Sequence, residues 1–185
     1  MRIEFKNYIL LSSDEHIHIL QIRNSDHVRH NMNNKHIINI KEHLDWLENL
    51  KEDTKNIYYA VFVDGIILGA VYITDINHVE ETCTWGLYFE NDTNPLIPSY
   101  STYFLIERVF NTLKMKRLNL EVSKLNTKAY KFDLSFGFQV YDEIENDYGK
   151  YYLMYITNIQ WKQSKNVGLL KILTKKLEKV QYNFI

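Results

Sequence analysis

Few features of this 185-residue sequence would interrupt or cross-link the chain. Its single cysteine, Cys83, excludes an internal disulfide, and only 2 prolines and 6 glycines are present, with no linker rich in serine and glycine. The sequence has no internal repeat and no low-complexity tract. Together with the length, these absences favour one continuous fold over most of the chain.

The charge balance and the lack of long apolar runs disfavour several partners. Lys plus Arg number 22 against 23 Asp plus Glu, so no overall field draws the protein to nucleic acid or to an anionic membrane. No apolar run approaches the ~20 residues that cross a bilayer, and residues 1–11 mix charged and apolar side chains, unlike a secretory signal. We expect a cytoplasmic protein that binds no nucleic acid and does not insert stably into a membrane.

Aromatic residues are abundant, and they indicate a packed globular protein. The chain has 14 Tyr, 9 Phe and 3 Trp within an apolar fraction of 45%. Its 7 histidines are scattered without the paired spacing of metal ligands, so we expect no metal site.

Capping and periodicity patterns predict the N-terminal elements. A β-rich stretch at 3–11 precedes Ser12 and Glu15, which form a capping box for a helix through about Arg23. A short helix is predicted to begin at residue 25 or 26. Asn39 is the predicted cap of a third helix, with an apolar stripe of Ile40, Leu44, Leu47 and Leu50.

Strand patterns dominate the rest of the chain. Residues 57–63 and 66–76 flank Asp64-Gly65, a dipeptide favoured in tight hairpins, and residues 81–89 continue as a third antiparallel strand. The later elements are predicted as helix, strand, helix, strand and strand, at 105–113, 118–122, 126–136, 138–144 and 151–156. The order β-α-α-β-β-β-α-β-α-β-β predicts a mixed α/β (α+β) fold.

One boundary is predicted near Gln160, giving a domain of residues 1–160 and an extension of residues 161–185. From Lys165 to Val180, leucines recur on one side of a predicted helix and lysines largely on the other. We expect this extra amphipathic helix to pack against the domain or against a second subunit in a homodimer. A membrane-surface role would need a stronger basic face.

Two parts of the sequence resemble a known family. Asn126-x-x-Ala129-x7-Gly137-Phe138 resembles the C-terminal half of the signature of the Gcn5-related N-acetyltransferase (GNAT) superfamily. Upstream residues resemble the GNAT subgroup that acetylates the 4-amino group of a UDP-linked 4-amino-4,6-dideoxy sugar in pseudaminic acid synthesis; they are Arg23-Asn24, Val28-Arg29, Met32, His43-Leu44 and Leu47.

The resemblance implies a central, mostly antiparallel sheet flanked by helices and splayed between residues 82–89 and 118–122. Acetyl-CoA, the implied co-substrate, would bind with its pantetheine arm in the splay and its pyrophosphate at the start of the following helix. The implied donor-binding residues are Leu87, Tyr88, Phe89, Ser99, Tyr100, Ser101 and Asn126.

The same resemblance implies a nucleotide-sugar site. Its residues would be Arg23, Met32, His43, Thr74 and Tyr88. Taken singly, Met32 also fits a core filler, His43 a packing residue and Tyr88 a buried aromatic, whereas Arg23 is a ready partner for a diphosphate.

Two carboxylates are candidates for the general base that removes a proton from the acceptor amine. Glu80 and Glu81 stand at the start of the strand that would border the splay. A solvated strand end is the alternative interpretation for both, and for His78 beside them.

The chain departs from the family pattern before the pyrophosphate-binding helix. The family has Q/R-x-x-G-x-G/A there, whereas residues 93–98 contain two prolines and no glycine, which removes two N–H donors and the close backbone path. We expect Ser99 to cap the helix and to leave the N–H groups of residues 100–103 facing an anion.

A second departure concerns the general acid. Asp133 occupies the place where the family often has a tyrosine that protonates the departing thiolate. An aspartate of ordinary pKa near 4 is ionised at neutral pH and cannot donate unless its site raises that pKa strongly. Tyr130, three residues earlier, is the alternative donor.

These departures leave three interpretations open: an acetyltransferase with atypical donor binding, a different acyl donor such as an acyl-pantetheine carrier, or a binding module that acts through the helix at 165–180. The leading hypothesis is N-acetylation of an amino sugar nucleotide by acetyl-CoA. Transfer to a protein or peptide amine fits the fold equally well.

Overall fold

Eight strands form one open sheet in the computed structural model, which describes residues 1–32 and 34–185. The strands are β1 (Arg2–Asn7), β2 (Ile57–Val63), β3 (Ile66–Asn77), β4 (Thr82–Phe89), β5 (Arg117–Ser123), β6 (Gln139–Asn146), β7 (Gly149–Thr157) and β8 (Gln181–Phe184). The α-helices are α1 (Ser13–Asn24), α2 (Asp26–Arg29), α3 (Ile40–Leu50), α4 (Leu96–Asn111), α5 (Thr127–Ser135), α6 (Asn158–Ser164) and α7 (Gly168–Leu177). A 3-10 turn, Tyr8–Leu10, follows β1.

The order across the sheet is β6-β7-β5-β4-β3-β2-β1-β8. All neighbours run antiparallel except the pairs β4–β5 and β1–β8, which are parallel. The mixed, mostly antiparallel α/β arrangement predicted from the sequence is confirmed.

Local sequence signals explain how the N-terminal elements begin. Ser12 and Glu15 form the expected capping box at the start of α1. Asn39 likewise accepts a hydrogen bond from the backbone N–H of Glu42 at the start of α3. Asp64 and Gly65 both adopt positive φ, at 48° and 89°, as a two-residue hairpin turn requires.

The predicted apolar stripe of α3 was partly wrong. Leu47 and Leu50 are buried as expected, but Ile40 and Leu44 are 43% and 47% exposed, and His43 is buried instead. The helix is rotated because His43 packs against His16 of α1, so tertiary contact decides between two stripes that the spacing allows.

The two faces of the sheet carry separate cores. On one face, α1, α2 and α3 cover a cluster that includes Tyr8, Ile19, Val28, Leu47 and Ala60. On the other face, α4 to α7 cover a larger cluster that contains side chains of β1 to β5 and β7. Alternate residues of the central strands therefore point to different helical layers.

The C-terminal segment adds a strand as well as helices. The helix predicted at 165–180 is the shorter α7, a separate helix α6 precedes it, and β8 pairs in parallel with β1 from Arg2–Gln181 to Phe5–Phe184. Leu170 and Leu177 are buried in the main core, so α7 packs against the domain. The prediction of a purely helical extension missed β8, and the division of the chain at residue 160 remains a prediction.

Phe184 fixes the last strand to the core. Its ring stacks on Phe5 with 4.2 Å between centroids, and the guanidinium of Arg108 lies 4.5 Å from its centroid. We expect Phe184→Ala to lower the free energy of unfolding by about 2 kcal/mol, below the cost of a fully buried phenylalanine because Phe184 is half-buried. Urea unfolding measures the loss, and Ile185→Ala, on an exposed neighbour, is the control; equal stability of the two variants would contradict this role of β8.

Candidate active site

A gap opens between the two central parallel strands. β4 and β5 pair only through Thr82–Arg117, Cys83–Leu118 and Thr84–Asn119, although both strands continue beyond this point. The side chain of Asn119 donates a hydrogen bond to the carbonyl of Cys83 at 3.2 Å, where the pairing ends. Beyond it, the facing backbone groups of β4 and β5 are not paired with each other, so an extended ligand can bind there as an additional strand. The predicted splay is confirmed.

The predicted donor-strand residues lie along this gap. Leu87, Tyr88 and Phe89 form the unpaired end of β4 on the β5 side, while β3 pairs with them on the other side. Leu87 and Phe89 point into the core under α4 to α7, whereas Tyr88 points to the layer of α1 to α3. Side chains of both layers therefore border the gap.

The expected helix start at Ser99 was wrong. α4 begins one turn earlier, and Asn94 accepts hydrogen bonds from the N–H of Leu96 through its side chain (3.0 Å) and from the N–H of Ile97 through its carbonyl (2.8 Å). Pro98 is tolerated because N–H groups of the first turn have no helical partner, and it supplies no donor.

The helix start is thus largely closed to an anion. The N–H groups of Tyr100 to Tyr103 lie inside α4, and the side chains of Tyr100 and Ser101 are buried. Ser99 donates its hydroxyl hydrogen bond to the carbonyl of Pro95 at 3.1 Å. The residues here do not fit a pyrophosphate in the way that a glycine-rich loop does.

A cluster of tyrosines lies on the opposite face of β4, toward α1 and α3. We call it the tyrosine cluster: Tyr8, Tyr58, Tyr72 and Tyr88. The hydroxyls of Tyr8 and Tyr88 are 2.7 Å apart, and the rings of Tyr58 and Tyr72 stack with 5.3 Å between centroids. Burial raises the pKa of Tyr58 to about 12 and raises the pKa values of the other three phenols, so all four are neutral hydrogen-bonding groups.

Arg23 brings a positive charge to the tyrosine cluster. Its guanidinium lowers the pKa values of Tyr58, Tyr72 and Tyr88 by direct electrostatic attraction, although their burial outweighs this effect. One nitrogen, Nη2, donates to the carbonyl of Asn34 at 3.0 Å. The other, Nη1, is buried without a hydrogen-bond partner among the described residues. A buried cationic group whose N–H donor has no acceptor favours the binding of an anionic ligand.

Two buried histidines pack next to the tyrosine cluster. The Nε2 of His43 and the Nδ1 of His16 are 3.2 Å apart. Burial lowers the pKa of His43 to about 4, so the imidazole is neutral at pH 7. The His43 ring also packs on Tyr8 and Trp46. His43 therefore positions aromatic side chains.

The structure brings most of the expected acceptor residues together. Tyr88 is a member of the tyrosine cluster, Arg23 and His43 lie beside it, and Met32 packs against the same core. Thr74 lies on the same face of β3 as Tyr72, two residues further from the open end. Sequence reasoning missed Tyr8, Tyr58 and Tyr72, whose only signal is that aromatic residues recur on one face of the strands.

The proposed general bases lie at the paired end of β4, outside the gap. Glu81 precedes β4 at the end where β4 and β5 are joined, about 20 Å of strand from Leu87. Its carboxylate pairs with Lys116, and Glu80 and His78 are exposed. The structure does not bring these three residues to the tyrosine cluster.

Asp133 is a buried acid on the core side of α5. It is 7% exposed, and burial raises its pKa to about 8, so the carboxyl group is largely protonated at neutral pH. Its helical neighbours Ala129 and Phe136 pack on the same core, one turn before and after it. The condition set by the sequence, a strongly raised pKa, is therefore met.

Two other expected residues of α5 are otherwise engaged. Tyr130 stacks on Tyr152 of β7 with 4.7 Å between centroids, on the far side of β5 from the gap. Asn126 caps the helix, since its side-chain oxygen accepts from the N–H of Ala129 at 3.1 Å. Of the two candidate acids, Tyr130 therefore contacts β7 outside the gap, whereas Asp133 is buried in the core with a raised pKa.

Gly86 leaves room for Tyr72 in the tyrosine cluster. A Cβ atom at residue 86 would collide with the hydroxyl oxygen of Tyr72, so the ring would have to move. We expect Gly86→Ala to weaken acceptor binding about tenfold and to leave donor binding within about twofold, because one displaced aromatic contact is worth on the order of 1 kcal/mol. Steady-state KM values for the two substrates measure this. The control is Ser135→Ala, at an exposed site. Gly65→Ala is not a suitable control because Gly65 has a positive φ. An unchanged acceptor KM in Gly86→Ala would contradict the placement of the acceptor.

Two further observations concern metals and membranes. Within residues 1–32 and 34–185, no three His, Cys, Asp or Glu side chains are grouped so that they could hold a metal ion. No helix in this described part is long and apolar enough to span a membrane.

Comparisons with known proteins agree with this geometry. Residues 10–159 match the family model described as an acetyltransferase (GNAT) domain. Two curated proteins from Campylobacter jejuni strains, both named acetyltransferase PseH, are 31% and 32% identical over 146 residues, covering 79% of this chain and 90% of each relative.

Solved structures show the same fold. The crystal structure of Campylobacter jejuni PseH in complex with acetyl coenzyme A superposes with a TM-score of 0.69 at 27% identity, covering 84% of this chain and 99% of that one. A Vibrio cholerae spermidine N-acetyltransferase superposes with a TM-score of 0.75 at 15% identity, covering 86% and 98%, which concerns the fold alone. The chain belongs to the GNAT acetyltransferase family and is an N-acetyltransferase.

Proposed function

We propose that this protein transfers the acetyl group of acetyl-CoA to the 4-amino group of a UDP-linked amino-deoxy sugar. The observation that carries the proposal is the Arg23 guanidinium, with its unpartnered buried Nη1, beside the tyrosine cluster at the open end of β4. Arginine pairs well with a diphosphate, and tyrosine hydroxyls suit the hydroxyl groups of a sugar.

The donor side is supported by the gap and by the relative. PseH is described in complex with acetyl coenzyme A, and the unpaired ends of β4 and β5 suit a pantetheine arm. The thioester would then lie beside Leu87 and Tyr88, between the tyrosine cluster and α5. Both substrates would meet at one point of β4.

The chemistry follows from these positions. The amine nitrogen attacks the thioester carbonyl carbon, an amide bond forms, and the carbon–sulfur bond breaks. Asp133 gives its proton to the departing thiolate, and the amine loses its proton to water. The aromatic walls and the charge of Arg23 favour the neutral amine over its ammonium form, so a strong carboxylate base is not required.

A thermal-shift panel tests the acceptor class. A ligand that binds only the folded state raises the melting temperature as its concentration exceeds its Kd. We expect UDP and UDP-linked amino sugars to stabilise the protein, and peptides and polyamines not to do so. No shift with any nucleotide sugar would contradict the proposed acceptor. A shift with a nucleotide sugar but none with coenzyme A would contradict coenzyme A as the donor.

A further inference from the structure

The C-terminal extension forms a basic groove beside the start of α4. The groove has a volume of about 500 Å³ and is lined by side chains that include Lys175, Lys176 and Lys179 of the segment around the end of α7, together with Tyr100 of α4. Met1 and Ile172 add apolar surface. Among the residues that line the groove there are three lysines and no carboxylate, and Glu178 is not one of them.

The lysines are available to a ligand. All three are exposed, and none of them makes an ion pair within the part of the chain that the structure describes. By contrast, Lys165 of the same extension pairs with Glu107 at 2.6 Å. Three unpaired ammonium groups around one concave surface attract a multiply charged anion.

The topology places this groove at the donor end of the sheet. β4 ends at Phe89 beside the start of β3, and the β2–β3 turn at that end contacts Arg2 through Asp64. β8 begins at the same end, since Gln181 pairs with Arg2. The end of α7 and Tyr100 of α4 therefore lie toward the same end of the sheet as the open end of the gap.

The backbone N–H groups that would bind the donor's phosphates at the start of α4 are not available. Asn94 occupies the N–H groups of Leu96 and Ile97, and Pro98 has none. The family match ends at residue 159, so the three lysines of the groove lie outside the part that matches the family model. The start of α4 thus lacks an anion site, and the C-terminal segment supplies positive charge at the same end of the sheet.

We propose that the groove between α7 and Tyr100 of α4 binds the phosphate-bearing nucleotide end of the acyl donor, with Lys175, Lys176 and Lys179 as the phosphate partners. The inference rests on the proposed use of coenzyme A. It adds that the extension replaces the charge interactions that a glycine-rich loop makes elsewhere in the family.

Calorimetric titration of the full chain tests this assignment. The variant Lys175→Gln/Lys176→Gln/Lys179→Gln is compared with the wild type for coenzyme A, dephospho-coenzyme A and adenosine 3',5'-bisphosphate at low salt. We expect the variant to bind coenzyme A at least about tenfold more weakly and to lose measurable binding of the bisphosphate, because charge-assisted contacts to phosphate are removed. Its affinity for dephospho-coenzyme A should fall by a smaller factor. We also expect coenzyme A binding by the wild type to weaken more steeply with salt.

A matched variant controls for net charge. Lys114→Gln/Lys162→Gln/Lys171→Gln removes three exposed lysines outside the groove, and we expect it to bind coenzyme A within about twofold of the wild type. The three single groove variants replace the triple variant if circular dichroism shows that the triple variant is unfolded.

The remaining outcomes separate this inference from the proposed function. Wild-type coenzyme A affinity in the groove variant would overturn the inference and leave acetyl transfer intact. No coenzyme A binding by the wild type would overturn both. If the groove variant lost binding of UDP but kept binding of the bisphosphate, the assignment of the groove to the donor would be overturned.

Discussion

We expect Arg23→Gln to raise the KM for the nucleotide-sugar acceptor about 30-fold and to leave the KM for acetyl-CoA within about twofold. The guanidinium lies beside Tyr58, Tyr72 and Tyr88, and its buried Nη1 has no partner among the described residues. Removing one member of a buried charged pair costs about 2 kcal/mol or more, and 1.4 kcal/mol is tenfold in affinity. Initial-rate kinetics with each substrate varied in turn measure both constants.

Arg2→Gln is the matched control for this prediction. Arg2 is an exposed residue of β1 whose guanidinium pairs with Glu4 at 3.1 Å, outside the tyrosine cluster. We expect its two KM values to stay close to those of the wild type. A parallel rise in both KM values of Arg23→Gln, or equal effects of the two variants, would show that Arg23 acts on the fold and does not bind the acceptor.

We expect Asp133→Asn to be stabilised relative to the wild type by an amount that increases as the pH rises. Burial raises the pKa of this carboxyl group in the folded state to about 8, above its unfolded value near 4. The protonated acid therefore contributes stability that is fully present below about pH 4 and is lost as the pH rises through about 8. The difference corresponds to at most about 5 kcal/mol, at 1.36 kcal/mol for each tenfold change in proton affinity.

Thermal unfolding between pH 5 and pH 9 measures this effect. We expect the melting temperature of Asp133→Asn, relative to wild type, to increase by about 5 °C or more over that range, since about 1 kcal/mol corresponds to 2–4 °C in a chain of this size. Asp142→Asn, on an exposed carboxylate of β6, is the control and should show no such trend. A constant difference for Asp133→Asn would contradict a buried, neutral Asp133.

The same substitution tests the role of Asp133 as the acid. An amide cannot donate the proton to the thiolate, so we expect kcat to fall by up to about 100-fold, at the low end for acid catalysis because a thiolate is a good leaving group. The wild-type kcat should decline above about pH 8 as Asp133 ionises, and this limb should be absent from the variant. An unchanged kcat would assign the proton to another group.

Local signals in the sequence were enough for much of the fold. The capping boxes at Ser12 and Asn39 and the hairpin at Asp64-Gly65 act within a few residues, so they are legible without tertiary information. β8 was missed because a four-residue strand has almost no periodicity, and its pairing with β1 joins the two ends of the chain. The rotation of α3 was missed because it depends on contact between His43 and His16.

The site was predicted less completely than the fold. The resemblance identified Arg23, His43 and Tyr88, which the structure brings to one face of the sheet. Ser99 was mistaken for a helix cap because a serine before a helical pattern is a common start, whereas α4 begins at Leu96, one turn earlier, with Pro95 at the N-cap position. The raised pKa of Asp133 follows from burial, which depends on the packing of the complete chain.

The most direct test of the account is an acetyl-transfer assay with purified protein, acetyl-CoA and a UDP-linked 4-amino-deoxy sugar. Released coenzyme A thiol and the mass of the sugar nucleotide are followed together, with the 4-hydroxy sugar nucleotide as control. We expect thiol release to match formation of an N-acetylated sugar nucleotide, and none with the control. Acetylation of a peptide or polyamine amine, with no product from any amino sugar nucleotide, would contradict the central claim.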